Sequence, residues 1–304
     1  MASNSLKVLI VGAGAGGLCL AQGLKRDGVA AEVFERDRAP DDQPQGYRLS
    51  INATGGQALA ACLPAPLFEK FTRSAAQPSE AVTFLDHRLN RLLAIEFPHR
   101  PRNSAEVERP VSRRTLRRIL LEGLGESVHF GKKLATFETR PDGTVLARFE
   151  DGSTASGDVL VGADGANSRV RALLLPEAKR RDTGIFGVAG KLPLTEAARA
   201  ATPPVLLRGP TPILGPGGCF MFCSAVNYGD VEDADEPIGD REEYLMWAVT
   251  ARRAKFGSQP DNDAVTGADM KRTAQKLTSD WHPSLRRLIE DTEPSTINAI
   301  SVKT

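Results

Sequence analysis

The sequence predicts an α/β protein in which a parallel βαβ unit is interrupted by, and followed by, a mainly antiparallel β region. Three observations predict it. The nearly all-apolar run 6–11 enters a glycine-rich turn and then a helical stretch, and strands covered on both faces read as continuous apolar runs of this kind. A second apolar run, 159–162, enters an Asp-Gly turn followed by a helix. Beyond about Pro176 the chain changes to short apolar strands punctuated by Gly and Pro, the pattern of an antiparallel sheet.

Each element follows from local pattern. Residues 18–26 read as a helix whose small side chains can lie close to a sheet; Gly28 breaks it, and 31–35 form a second strand. Residues 38–46 make a polar loop rich in turn formers. In 81–97 two apolar stretches flank a polar turn, as in a hairpin. Residues 111–124 form an amphipathic helix with Ser112 as its N-cap and Leu116, Ile119, Leu120 and Leu124 on one face. Short strands run through 128–156 with turns at Asp142-Gly143 and Asp151-Gly152. Later strands are expected at 184–190, 205–207 and 213–225, an acidic loop at 230–243, and helices near 244–256 and 268–277.

Length and charge narrow the function. The 304 residues carry 39 Lys and Arg against 38 Asp and Glu, a net charge of +1, which argues against a nucleic-acid binder with its strongly basic face. A 41% hydrophobic share with 25% charged residues places the chain among folded globular proteins, with length for two domains. Cys219 and Cys223 alternate with Met221 along an apolar strand, Cys19 and Cys62 stand apart, and the four histidines have no ligand spacing. No metal is expected, and reduced thiols in the cytoplasm are the default. The N-terminal apolar run contains glycines and is followed by Lys25, Arg26 and Asp27, so it is a strand entering a turn rather than a leader. No segment approaches the ~20 apolar residues of a membrane span.

Gly12-Ala13-Gly14-Ala15-Gly16-Gly17 satisfies GxGxxG between a strand and a helix. Gly12 allows the tight turn, Gly14 lets a pyrophosphate approach the backbone, and Gly17 permits close helix packing; the helix N-terminus that follows favours the anion, and Ala15 is counted with the cofactor-binding residues. Glu35, eighteen residues after Gly17 and followed by Arg36, ends the next strand, where a carboxylate accepts hydrogen bonds from ribose hydroxyls. This is a Rossmann-like dinucleotide site, and its acid favours FAD or NAD over NADP.

The run Asp158-Val159-Leu160-Val161-Gly162-Ala163-Asp164-Gly165-Ala166-Asn167-Ser168-Arg169-Val170-Arg171 resembles the Asp-Gly motif of the FAD-dependent aromatic hydroxylases with the para-hydroxybenzoate hydroxylase fold. The resemblance extends over nearly the whole chain. It implies that Asp164 and Gly165, with Arg169, lie near the FAD pyrophosphate and bear on NAD(P)H use. The residues alone also allow a plain sheet-to-helix turn capped by Ser168 or Asn167. Arg113-Arg114-Thr115-Leu116 is similar to the family's helix start whose arginine contacts FAD, which gives that role to Arg113 and leaves Arg114 and Arg117 as solvated helix charges. Gly46-Tyr47-Arg48-Leu49-Ser50-Ile51 resembles the strand passing close to the flavin, so Arg48 meets flavin or substrate there, or forms a surface ion pair.

The implied architecture is an FAD-binding domain over 1–80 and 105–178, resuming past 290 and beyond the chain end, with a substrate domain over 81–104 and 179–289. The family's third motif, a Gly-Asp-Ala-Ala-His-type turn, would follow the strand that begins near Ser301-Val302-Lys303-Thr304. The implied activity is monooxygenation: NADH or NADPH reduces FAD, molecular oxygen gives a flavin hydroperoxide, and an aromatic or polycyclic substrate is hydroxylated or epoxidised. No catalytic side chain is assigned, since the cofactor carries the chemistry. Phe220, Met221 and Phe222 are candidates for the substrate cavity, and His282 reads as structural. The alternatives are a flavin-dependent reductase or oxidase on the same fold, or an inactive nucleotide-binding protein. A halogenase lacks support because Trp247 and Trp281 stand alone, and a plain NAD dehydrogenase leaves Asp158 to Arg171 unexplained.

Overall fold

The computed structural model describes residues 6–42, 48–98, 101, 103–229, 241–257 and 265–304. Gly46, Tyr47 and most of the acidic loop lie outside these residues. Along the chain come β1 (Lys7–Val11), α1 (Ala15–Arg26), β2 (Ala30–Phe34), β3 (Arg48–Ile51), α2 (Ala53–Cys62), α3 (Ala65–Ser74), β4 (Ala81–Asp86), β5 (Arg91–Glu96), β6 (Arg109–Ser112) and α4 (Arg113–Leu121). Then follow β7 (Val128–His129), β8 (Leu134–Thr139), β9 (Val145–Phe149), β10 (Thr154–Gly157), β11 (Val159–Gly162), α5 (Arg169–Leu174), β12 (Asp182–Pro193) and α6 (Glu196–Ala201). β13 (Thr211–Leu214), β14 (Phe220–Val226), β15 (Tyr244–Arg252), α7 (Gly267–Leu277), α8 (Pro283–Glu290) and β16 (Asn298–Lys303) complete the order.

The chain divides into two compact units, one holding Met1–Ala75 and Pro101–Lys179, the other Ala76–Arg100, Arg180–Asp233 and Arg241–Thr304. In the first, a parallel sheet runs in the order β11-β1-β2-β7. Its central strand β1 is apolar throughout because both faces are covered. Val8 and Ile10 pack with Leu18, Phe71, Leu116 and Leu120 of the helices, while Leu9 and Val11 pack with Phe34, Leu134 and Phe149. The second face is closed by the antiparallel β10-β9-β8 sheet, and β3 pairs with β6 as a separate ribbon. Ser112 caps α4 by accepting the Thr115 amide at 3.4 Å, and Leu116, Ile119 and Leu120 are buried. Helices α2 and α3 are not evident from the sequence pattern. Both are only 10 residues long, and Gly55-Gly56 in the first blurs its helical pattern.

In the second unit seven strands run in the order β16-β12-β15-β14-β13-β4-β5. One face is buried, with Met221, Cys223, Leu245, Trp247 and Val249 packed with Trp281, Leu285 and Ile289. Two expected elements change type. Residues 244–256, expected to be helical, form β15 and a short 3₁₀ turn. Leu245, Trp247, Val249 and Ala251 are buried on one face of this strand and Tyr244 and Ala248 on the other, so apolar side chains lie on both faces, and periodicity does not separate such a run from a buried helix. The strand expected at 205–207 is instead a 3₁₀ turn, Pro204–Leu206. Pro203 and Pro204 have no N–H for a ladder, and their fixed φ suits the turn. Residues after 290, assigned by the sequence reading to the first domain, enter a turn and then β16, which pairs antiparallel with β12.

The four cysteines are free thiols. Burial pushes the Cys223 thiol up to about 12; at Cys19 burial, then the neighbouring Cys62, does the same, also to about 12. No helix among the described residues is long and apolar enough to cross a membrane. The indole of Trp247 is fully buried and donates to Thr292 Oγ1 at 2.8 Å. Replacing Trp247 with Ala is expected to cost about 3–5 kcal/mol, read as a lower midpoint in urea denaturation.

Candidate functional site

Parallel β1, β2 and β11 end on the same side of their sheet, so the loops that follow them converge. Open α/β sheets place ligands at this edge. Here the loops enclose a cleft of about 1000 Å³ whose lining includes Gly12, Gly14, Ala15, Glu35, Arg36 and Gly165.

The glycines of the turn differ in what they do. Gly12 has φ +110°, and a Cβ on it would lie 2.5 Å from the Ala163 carbonyl oxygen. A Cβ on Gly17 would lie 2.0 Å from the Gly12 carbonyl oxygen. Both positions hold backbone against backbone. A Cβ on Gly14 would meet nothing within 4 Å, so the bare backbone there relieves no clash and instead leaves the cleft floor open. Gly14 is also the N-cap of α1 and supplies no side-chain hydrogen bond; the first amides of this helix are therefore available to an anion.

Glu35 lines the cleft although only 6% exposed. Its Oε2 accepts the Ala13 amide at 2.6 Å and its Oε1 the Asp37 amide at 3.0 Å. An ionised carboxylate offers about four acceptor positions, so one remains on each oxygen, a match for two neighbouring hydroxyl donors.

Basic side chains outnumber acidic ones along the cleft: Arg36, Arg113, Arg117, Lys132, Lys133 and Arg169 against Glu35, Glu150 and Asp164. Arg113 is the first residue of α4 and is exposed. Arg48 is half-buried and pairs in register with Ser112; the cleft lining includes its neighbour Leu49. Asp164 works first as an anchor for α5: its Oδ2 accepts the amides of Arg169 at 2.6 Å and Val170 at 3.2 Å. Ser168 caps the same helix by accepting the Arg171 amide at 2.9 Å. Asp164 Oδ1 is buried without a hydrogen-bond partner among the described residues. The guanidinium of Arg169 is turned to the Ala135 carbonyl at 2.9 and 3.1 Å. Gly165 takes φ +79°.

Arg117 corrects the sequence reading. It is not a solvated helix charge, since its side chain is 11% exposed and reaches Asp37 at 3.1 Å and Glu35 at 3.7 Å. Arg114 is 42% exposed, with Asp41 at 3.9 Å. The signal for Arg117 was its position four residues after Arg113, on the same helix face. Lys132 and Lys133 had no such signal. Of the cavity candidates, Met221 is fully buried in the helix-covered core, whereas Phe220 and Phe222 are half-buried on the opposite face of β14. His282 is the N-cap of α8, its Nδ1 accepting the Ser284 amide at 3.2 Å.

Residues 5–262 match the FAD binding domain family. The chain is 32% identical over 325 residues to the dual O-methyltransferase/FAD-dependent monooxygenase elcB of Phaeosphaeria nodorum, covering 95% of this chain and 34% of that protein. It is 30% identical to the FAD-dependent monooxygenase dbaB of Emericella nidulans, over 96% of this chain and 74% of the other. Among solved structures, a protein of Photorhabdus luminescens assigned as an FAD-containing monooxygenase superposes with a TM-score of 0.84 at 28% identity, covering 99% of this chain and 76% of that one. The chain thus spans about one third of the fungal dual enzyme it matches. It belongs to the FAD-binding family that includes FAD-dependent monooxygenases and aromatic hydroxylases.

The glycines separate in experiment. Gly17→Ala is expected to lower stability by about 1–3 kcal/mol through overpacking. Gly14→Val meets no clash and should cost the apoprotein about 1 kcal/mol or less, from the poorer helix N-cap, while weakening FAD binding at least about tenfold, because it fills space a ligand would use. Differential scanning fluorimetry and flavin-fluorescence titration measure the two effects.

Proposed function

We propose that the protein is an FAD-dependent monooxygenase that draws electrons from NADH or NADPH and uses molecular oxygen to hydroxylate or epoxidise an aromatic or polycyclic small molecule. The observation that carries the reading is the combination at one sheet edge of an open helix N-terminus, a carboxylate with two acceptor positions left, and an excess of cations. That set suits an extended dinucleotide with a pyrophosphate in the middle and a ribose diol at one end. Family membership and the named relatives support FAD as the occupant.

In this reading Gly12 and Gly17 shape the turn, while the amides at Gly14 and Ala15 hold the pyrophosphate. Arg36 and Arg113 supply countercharge, Glu35 takes the ribose hydroxyls, and Asp164 with Gly165 fixes the opposite wall. Arg48, one residue from the lining, is assigned to the flavin or substrate. Bound FAD supplies the redox and oxygen chemistry. The protein's share is to bind, orient and exclude water. Substrate binding is assigned to the unit built on the seven-stranded sheet, with Phe220 and Phe222 as apolar contacts. The cytoplasm is the proposed compartment, supported by four cysteines that are all free thiols.

Purified protein supplied with FAD is expected to give a flavin absorption spectrum and to oxidise NADH or NADPH faster when a responsive member of a phenolic panel is present, with oxygen uptake and a hydroxylated product. Oxygen uptake without any hydroxylated product would count against monooxygenation, and turnover without oxygen would indicate a reductase.

A further inference from the structure

Arg117 carries more than the cation excess requires. Its Nη1 donates to Asp37 Oδ2 and to the Pro40 carbonyl, each at 3.1 Å. Its guanidinium carbon lies 5.8 Å from the centre of the Phe130 ring. Nη2 stands 3.7 Å from Glu35 Oε2, an ion pair too long for a hydrogen bond. Nε and Nη2 are buried and have no hydrogen-bond partner among the described residues. Those two nitrogens present no surface that a ligand could touch. Whatever Arg117 does for binding through them, it does through its neighbours.

The neighbours are two carboxylates set close together at the end of β2. Glu35 and Asp37 have side chains only 8% and 14% exposed, and the Asp37 amide is itself bound to Glu35 Oε1 at 3.0 Å. Partly buried carboxylates so near each other repel and are poorly solvated unless a cation lies beside both. Arg117 is that cation, fixed from α4 by the Phe130 ring, the Pro40 carbonyl and Asp37. With it in place Glu35 is held in one orientation, with its two remaining acceptor positions directed by the bonds to Ala13 and Asp37.

We infer that Arg117 is a positioning residue for nucleotide recognition: it holds Glu35 for the ribose diol and acts through that neighbour rather than through its buried Nε and Nη2. This rests on the proposed FAD reading. It assigns a residue outside the glycine turn, on another element, to the selectivity of the site for a 2′,3′-diol over a deoxyribose.

Calorimetric titration with FAD, ADP and 2′-deoxy-ADP tests it. In the wild type ADP should bind more tightly than 2′-deoxy-ADP. Arg117→Gln is expected to weaken FAD and ADP about tenfold or more, the scale for losing a supporting partner, while weakening 2′-deoxy-ADP by no more than about twofold, so that the preference collapses. Arg117→Lys, which keeps the charge, should restore most of the preference. Combining Arg117→Gln with Glu35→Gln should cost less than the two single losses together, as expected for coupled neighbours. A merely structural role would weaken both ADP forms alike, and that result overturns the inference, as does an unchanged Arg117→Gln. If the wild type binds neither FAD nor ADP, the cofactor reading itself falls and takes this inference with it.

Discussion

Gly12 sits where the end of β1 meets the end of β11, with backbone so close to Ala163 that no Cβ fits between them. Gly17 then brings the first turn of α1 against the Gly12 carbonyl by the same means. These two approaches fix where the helix begins and which way its free amides point. They also set the depth of the cleft, because the turn after β1 and the turn after β11 are its two walls. Dispersion and burial hold the rest of the first unit together, but a cleft of this shape exists only because two positions carry no side chain.

A second constraint follows from charge. The Ala13 amide lies in the same turn, and it is bound to Glu35 at the end of β2. A buried carboxylate is costly unless it is paired or hydrogen-bonded. The turn and Arg117 meet that need from opposite sides, one from the chain's first strand–helix junction and the other from α4. The acid thus ties together three segments far apart in sequence, and the same contacts that stabilise it leave its outer acceptors open. Asp164 repeats the device on a smaller scale, with one oxygen occupied by α5 amides and the other without a partner among the described residues.

What the sequence disclosed and what it hid divide along physical lines. Gly12, Gly14, Gly17, Glu35, Asp164 and Gly165 were legible because a strand–turn–helix imposes local demands that few residues meet, and the structure gathers all six at one edge. The hairpin of β4 and β5 was legible from its alternation and polar turn. Lys132 and Lys133 were hidden because nothing in their own segments marks them, and Arg117 carried only its spacing from Arg113; all three matter through what the fold places opposite. β15 was hidden for another reason. A strand with apolar side chains on both faces loses its period-two signature, and Trp247 and Met246 fit a helix pattern as well as a strand.

The thiols invite a last consideration. A protein handling flavin and oxygen leaks reactive oxygen species, and cysteine is damaged by them in proportion to its anionic fraction. Cys223 is sealed within the sheet core, and burial holds its proton well above neutrality. Such a sulfur is a poor target for sulfenic acid formation. The same packing that makes it ordinary filler gives the chain a measure of durability in the chemistry it is proposed to perform.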